Sequence, residues 1–211
     1  VALEVGVVVV VTLVVGDVVV VALVVGDVVI TGISGGEYGI RGFIDGWDTK
    51  TGKHLWRRYT IPGEGEKGNE TWSGDSWKHG GAPAWMTGSY DPELDLVYWG
   101  VGNGGPWNPF VRKGDNLYVG SMLALKPQTG EIAWHYQFSP NDPFDYDGVN
   151  DLVLADLEIG GKPRKVVMQA NRNGFFYVID RTNGKLVAAN KFIDRVDWAD
   201  SIDLETGKPV E

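Results

Sequence analysis

Four stretches of the chain are variations on one hairpin: GWDTKTGKHLW (46–56), ALKPQTGEIAW (124–134), VIDRTNGKLVA (178–188) and SIDLETGKPVE (201–211). Each reads as an apolar strand, a turn carrying Thr-Gly or Asn-Gly, and a second strand, often ending in Trp. Glycine in the turn supplies the left-handed backbone that a tight hairpin needs. The turn glycines, Gly52, Gly130, Gly184 and Gly207, are separated by 78, 54 and 23 residues. One hairpin type recurring at irregular spacing predicts blades of a β-propeller interrupted by long loops. Composition agrees with an all-β fold. There are 30 glycines, 9 tryptophans and 8 tyrosines, as expected of many tight turns joining short aromatic strands. The last copy stops in mid-hairpin at Glu211, which is expected of a piece of a longer propeller. Helical periodicity is weak, and short helical turns are expected only around 141–150.

Residues 1–30 have a different texture. They are three near-copies of a decamer, VALEVGVVVV, VTLVVGDVVV and VALVVGDVVI. Gly-Asp between apolar runs predicts a hairpin turn. A transmembrane helix is rejected, because Glu4, Asp17 and Asp27 interrupt the run and 17 of the 30 residues are the β-former valine. No basic segment with a small-residue cleavage site opens the chain, so no signal peptide is read. The expected organisation is an atypical Val-rich β-hairpin segment over 1–30 and a partial propeller domain over 31–211.

Bulk chemistry excludes several functions. The formal net charge is −9 and Lys and Arg do not cluster, so nucleic-acid binding is not expected. With no cysteine, the chain has no disulfide, thiolate metal site or covalently attached haem. No Gly-rich phosphate loop of the dinucleotide kind is present, which argues against a nicotinamide cofactor. His54, His79 and His135 have no spacing that suggests a metal site or a triad.

Two long loop-like stretches, 62–84 and 102–119, are rich in Gly, Pro, Asn and Trp. Loops of that length in a compact domain are usually functional or disordered, and the tryptophans argue against disorder. A third stretch, NDPFDYDGVND (141–151), holds four aspartates. On an extended backbone Asp145 and Asp147 point to the same side, and such a pair is unfavourable unless a cation lies between them. An acidic turn, a metal site and a base beside a metal all remain open on this motif alone. An EF-hand is excluded, since Gly148 falls at position 4 of the loop rather than 6. Glu37, between glycines in SGGEYG, is an odd core residue because burying an unpaired carboxylate is costly.

Taken in order, GISGGEYGIRGF, TWSGDSWKHGGAPAW, YDPELDLVYWGVGNGGPWN, GDNLY, DYDGVND and NGFFYVIDRTNG resemble the motifs of the pyrroloquinoline-quinone (PQQ) dependent alcohol dehydrogenases, which are eight-bladed propellers. The resemblance runs from about Val29 to Glu211 and covers at most half a propeller. WHYQFSPNDPFDYD and VDWADSIDLETGKPVE are most similar to the quinohaemoprotein ethanol dehydrogenase branch. The resemblance implies oxidation of a primary alcohol to the aldehyde, with electrons passed to a cytochrome c and a periplasmic location. It implies Glu37, Asn103, Asp145 and Asp147 as metal ligands, with Asp145 also the catalytic base. Ser34, Gly35 and Gly36 would touch the quinone, Trp85 would form the floor under its ring, and Arg172 would hydrogen-bond its carbonyl. Asp147 matches the aspartate of lanthanide-dependent members, where calcium enzymes generally carry a small or neutral residue. The metal would polarise the quinone C5 carbonyl, to which hydride passes. The chain departs from the family at Pro83, where members often have a threonine that donates to the quinone. The family's vicinal disulfide would lie before residue 1. Two other readings stand beside the enzyme: a non-catalytic propeller that binds protein partners, and an inactive truncated fragment.

Overall fold

The computed structural model describes residues 9–15 and 18–210. The first decamer's turn and the Gly16-Asp17 turn lie outside them. The chain folds into successive antiparallel meanders in which every strand pairs with its sequence neighbour. The first sheet contains β1 (Val9–Val15), β2 (Val18–Val25), β3 (Val28–Gly32), β4 (Phe43–Asp48) and β5 (His54–Tyr59). The second contains β6 (Ser89–Asp91), β7 (Leu96–Gly100), β8 (Ser121–Leu125) and β9 (Ile132–Gln137). The third contains β10 (Val153–Ile159), β11 (Lys162–Ala170), β12 (Phe175–Asp180) and β13 (Leu186–Lys191). A two-stranded ladder, β14 (Ser201–Ile202) with β15 (Pro209–Val210), follows. These are blades of a propeller, as the hairpin repeat predicts. The Gly26-Asp27 hairpin also forms, pairing Val25 with Val28 across a two-residue turn.

The second sheet shows why the blades stack. Every residue of β7 and β8 is buried. Val97 and Trp99 of β7 and Leu123 and Leu125 of β8 pack toward the first sheet, with Leu23, Ile30, Ile44 and Trp56. Their alternates, Leu96, Tyr98, Met122 and Ala124, pack toward the third sheet, with Val167, Phe175 and Tyr177. The period-2 pleat thus divides one blade between two cores, and both faces of its strands read as continuous apolar sequence.

The repeated turns lock neighbouring blades together. In each, the glycine is left-handed, with φ of 69° at Gly52, 66° at Gly130, 78° at Gly184 and 72° at Gly207. Its N–H donates back to the residue four before it, for example Gly130 to Lys126 O at 2.9 Å. In three of the turns an aspartate accepts from a following Thr hydroxyl and backbone N–H: Asp48 from Thr51, Asp180 from Thr182 and Asp203 from Thr206. Three of the turns, those of Gly130, Gly184 and Gly207, then land on an aromatic ring of a preceding blade. A Cβ on Gly130 would collide with the Trp56 ring, and one on Gly184 would lie 2.6 Å from Trp134 Cε3. Trp56 Nε1 donates to Pro127 O at 3.0 Å, and Trp134 Nε1 to Arg181 O at 3.2 Å. Each indole is therefore covered on its face and satisfied at its N–H.

The two long loops are ordered against each other. Trp72 Nε1 donates to Leu117 O at 2.6 Å, and Leu117 N to Thr71 Oγ1 at 2.9 Å. Residues 141–150 are not helical, contrary to expectation; the short 3-10 turns fall at Gly36–Tyr38, Asn69–Thr71, Ser76–His79 and Pro109–Val111. The reason is local. Asn141 and Asp145 are left-handed, with φ of 49° and 63°, and the Asp142 carboxylate takes the N–H groups of Phe144 and Tyr146, which diverts that backbone from helix bonding. Among the described residues no helix is long and apolar enough to cross a membrane.

The glycine turns supply a test. Gly52 and Gly130 share the same backbone, but a Cβ on Gly52 meets nothing within 4 Å. Gly52→Ala should cost only the conformational term, about 1 kcal/mol. Gly130→Ala adds overpacking against Trp56 and should cost about 2–4 kcal/mol. Urea unfolding midpoints of the two variants measure the difference.

Candidate functional site

In an antiparallel meander, successive connections alternate between the two ends of the sheet. The glycine turns β4–β5, β8–β9 and β12–β13 occupy one end. The opposite end carries the β3–β4 connection, with Ser34, Gly35, Gly36 and Glu37, and the β7–β8 loop with Asn103. Asp145 and Asp147 lie in the β9–β10 connection, Arg172 in the β11–β12 turn, and Trp85 in the segment leading into β6. The topology thus gathers these residues from all three blades.

Close backbone approach makes the gathering possible. A Cβ on Gly36 would lie 2.6 Å from Asn103 Oδ1, and one on Gly102 would lie 2.6 Å from Asp147 Oδ1. Glycine at both positions lets the three loops meet with the Asn103 and Asp147 side chains in place. Their contact encloses a cleft of about 310 Å³. All nine residues that the sequence nominated line it, and Pro83 joins them. An adjoining hollow of about 250 Å³ shares Trp85, Asp147 and Arg172. Larger hollows exist, between β9 and the β14–β15 turn and on the outer strands β10 and β11, but they lie away from this convergence.

The donors divide by exposure. Glu37 and Arg172 are exposed, Asp145 is intermediate, and Asn103 and Asp147 are buried at 3% and 4% exposure. Trp85 keeps 41% of its surface open, which is unusual for an indole that only packs between blades. Asn103 Nδ2 donates to Glu37 Oε1 at 3.3 Å. Arg172 Nη1 lies 3.8 Å from Asp145 Oδ2 and 3.5 Å from Asp147 Oδ2, so the cation between the two aspartates is a guanidinium. Asp180 faces Arg164 rather than Arg172. Burial, reinforced by the charge of Asp145, pushes the Asp147 carboxyl up to about 6. Burial also raises Asp145, with Arg172 working against it. Asp147 Oδ1 is buried with no hydrogen-bond partner, and so is Asn150 Oδ1 in the adjoining hollow. A buried unpaired acceptor costs about 1–3 kcal/mol.

These features suit a hard cation, which takes carboxylate and amide oxygens. The three carboxylates do not close on a single point, however. Among the described residues no group of three or more His, Cys, Asp or Glu side chains is spaced to hold an ion. A complete shell would need further oxygens. The three histidines stay outside the cleft: His54 pairs with Asp45, His79 with Gly39 O, and His135 stacks edge-on against Tyr118.

Sequence reasoning missed the groups that hold the acidic loop. Asn171 Nδ2 donates to Asp147 O at 3.0 Å, and Gln169 Nε2 donates to Gly148 O at 2.9 Å. Asp142 and Arg112, both buried, sit behind the same loop. Asp142 was detectable as an aspartate two and four residues ahead of N–H groups in a Pro-containing turn. Arg112 carried no local signal, because its partners are mostly backbone carbonyls.

Comparison with known proteins places this geometry. The profile of the PQQ family "Glucose/ethanol/alcohol dehydrogenase, beta-propeller domain" matches residues 7–191. The quinohemoprotein alcohol dehydrogenase ADH IIB of Pseudomonas putida is 53% identical over 188 residues, 82% of this chain and 27% of that protein. The lanthanide-dependent methanol dehydrogenase of Methylorubrum extorquens is 41% identical over 188 residues, 81% of this chain and 31% of its own length. A solved europium-containing methanol dehydrogenase superimposes with a TM-score of 0.86 at 41% identity, over 90% of this chain and 36% of that one. The chain thus spans roughly a quarter to a third of the length of the curated relatives it matches.

The raised Asp147 carboxyl has a signed consequence for the metal-free chain. Its folded pKa, about 6, sits above the ordinary 3.8. The stability it contributes is therefore fully present below about pH 4 and is lost as pH rises through 6. The loss should be on the order of 3 kcal/mol. Asp147→Asn should flatten this slope, as read from urea midpoints between pH 4 and 8.

Proposed function

The chain belongs to the glucose/ethanol/alcohol dehydrogenase β-propeller family of PQQ enzymes, and from that premise we propose that the cleft is the metal- and PQQ-binding half of a primary alcohol dehydrogenase. The observation that carries this reading is the convergence of all nine nominated residues on one cleft that contains a buried, unpaired carboxylate oxygen.

The chemistry of the residues present suits both groups, although the three carboxylates would have to draw together around an ion. Glu37, Asn103, Asp145 and Asp147 offer oxygen donors only, and cofactor oxygens would complete a shell that they leave open. Three carboxylates balance a trivalent ion better than a divalent one, which favours a lanthanide over Ca²⁺. Ser34, Gly35 and Gly36 present small residues, and Trp85 an open indole face, to a flat ring. Bound at this position, PQQ supplies the two-electron acceptor and the metal polarises its carbonyl.

The protein's own groups do the rest. Asp145 is the partly exposed carboxylate of the pair, so it can reach a small alcohol and take its hydroxyl proton. Burial raises its proton affinity toward that of a useful base, while Arg172 keeps it from being neutralised outright. Asp147, deeper in the cleft, is left to ligation. Arg172, half exposed, can also donate to a quinone oxygen. Pro83 lacks the donor that many relatives carry, so orientation of the ring falls more heavily on Arg172 and the 34–36 backbone. A cytochrome c as electron acceptor and a periplasmic setting complete the proposal on resemblance.

Titration of the chain with La³⁺ and with Ca²⁺ in the presence of PQQ tests the reading. La³⁺ should bind at least tenfold more tightly, and Asp147→Ala should abolish that preference. Equal affinities in the parent would overturn the trivalent assignment. With La³⁺ and PQQ loaded, Asp145→Asn should lower dye-linked ethanol oxidation by about 10²–10⁴-fold while leaving PQQ bound. La³⁺ binding without turnover in the parent would retain the site and remove the activity from this chain.

A further inference from the structure

We propose that Arg112 and Asp142 form a positioning unit that sets the backbone of Asp145 and Asp147 and ties it to the loop bearing Asn103. The inference rests on the metal-site reading of the cleft given above.

Arg112 is fully buried. Its hydrogen bonds all go to neutral oxygens: Nε to Pro106 O at 2.7 Å, Nη1 to Asn116 Oδ1 at 2.7 Å, and Nη2 to Trp107 O at 3.4 Å and Asp142 O at 2.5 Å. Burying a cation costs several kcal/mol, and an apolar side chain of similar volume would avoid that cost. What the guanidinium adds is a planar fork that can hold several segments at fixed angles. Here it holds the 106–107 backbone, Asn116 and Asp142 at once. Its Cζ also packs on Gly104, where a Cβ would come within 2.6 Å, and Gly104 adjoins Asn103.

Asp142 carries the constraint onward. Its Oδ1 accepts from Phe144 N at 2.9 Å and its Oδ2 from Tyr146 N at 2.7 Å. These two N–H groups bracket Asp145, a non-glycine residue held at φ 63°, a conformation that costs about 1–2 kcal/mol unless its surroundings enforce it. The adjacent Asn141 ties back to the same segment, its Nδ2 donating to the Arg112 main-chain O at 3.0 Å and to Asn116 Oδ1, which the fork also holds, at 2.7 Å. A continuous set of contacts therefore runs from beside Asn103, through Arg112 and Asp142, to the residues on either side of Asp145. Neither Arg112 nor Asp142 lines the cleft.

The test uses the whole chain with Asp142→Asn, Arg112→Met and Arg112→Lys. Without metal, amide hydrogen exchange reports the loop. Exchange at Phe144 and Tyr146 should rise at least tenfold in Asp142→Asn and Arg112→Met, with amides of β7, β8 and β12 unchanged. Eu³⁺ luminescence titration should show a 10- to 100-fold loss of affinity in both. Arg112→Lys should recover part of it, since one ammonium can replace one arm of the fork but not all. Unchanged local exchange and Eu³⁺ affinity in Asp142→Asn would overturn the proposal. So would loosening of all blades alike, the mark of a general structural role. Should Arg112→Met fail to fold, Asp142→Asn decides. Should the parent fail to bind Eu³⁺, the metal-site reading falls, while exchange at Phe144 and Tyr146 still decides the positioning claim.

Discussion

The contact between a turn glycine and the aromatic ring of the preceding blade sets the rest of the geometry. Trp56 receives the turn of Gly130, and Trp134 the turn of Gly184. Tyr136 receives Gly207, whose carbonyl accepts from the tyrosine hydroxyl at 2.9 Å. The contact works because three requirements coincide. The turn needs a left-handed residue, the ring needs an uncluttered surface, and the ring's polar atom needs a partner. Glycine meets the first two and a nearby carbonyl the third. These contacts lie at one end of the blades, and they fix the angle at which one blade follows another. That angle determines how close the loops at the far end come.

At that far end the structure solves an electrostatic problem by graded exposure. Four acidic or amide groups share one cleft with a single guanidinium at ion-pair distance from the two aspartates. The exposed Glu37 is relieved by water. Asp145 is relieved partly by water and partly by Arg172. Asp147 has neither water nor a partner for Oδ1, so its proton affinity rises. Along the same gradient, Asp145 stays open to a small molecule in the cleft, whereas Asp147 lies beneath the surface.

The fold was legible because its determinants are local. A Thr-Gly turn between apolar strands specifies a hairpin wherever it occurs, and four copies specify a propeller. Asp145, Asp147 and Glu37 stood out locally, but that they and the other six nominated residues share one cleft was legible only through resemblance. Their spacing, from Ser34 to Arg172, is set by blade stacking, which no local pattern records. Two features escaped for the same reason. The 141–150 loop drew a helical expectation because its side-chain-to-backbone bonds compete with helix bonding without changing composition much. Arg112 was invisible because a buried arginine that binds carbonyls leaves no mark on its neighbours. The Val-rich start was legible as strands and, at Gly26-Asp27, as a turn, yet its uniformity says nothing about which face of each strand is covered.

The site's sequence separations also prescribe an order of assembly. The glycine-turn hairpins close over a few residues, whereas Asn103 reaches Glu37 across 66 positions and Asp147 is steadied by Asn171 across 24. Loop-closure entropy makes such distant pairings late events. The cleft exists only once three blades have docked. Carboxylates that would repel one another in a compact intermediate are brought together last, after hydrophobic docking has supplied the driving force to hold them there.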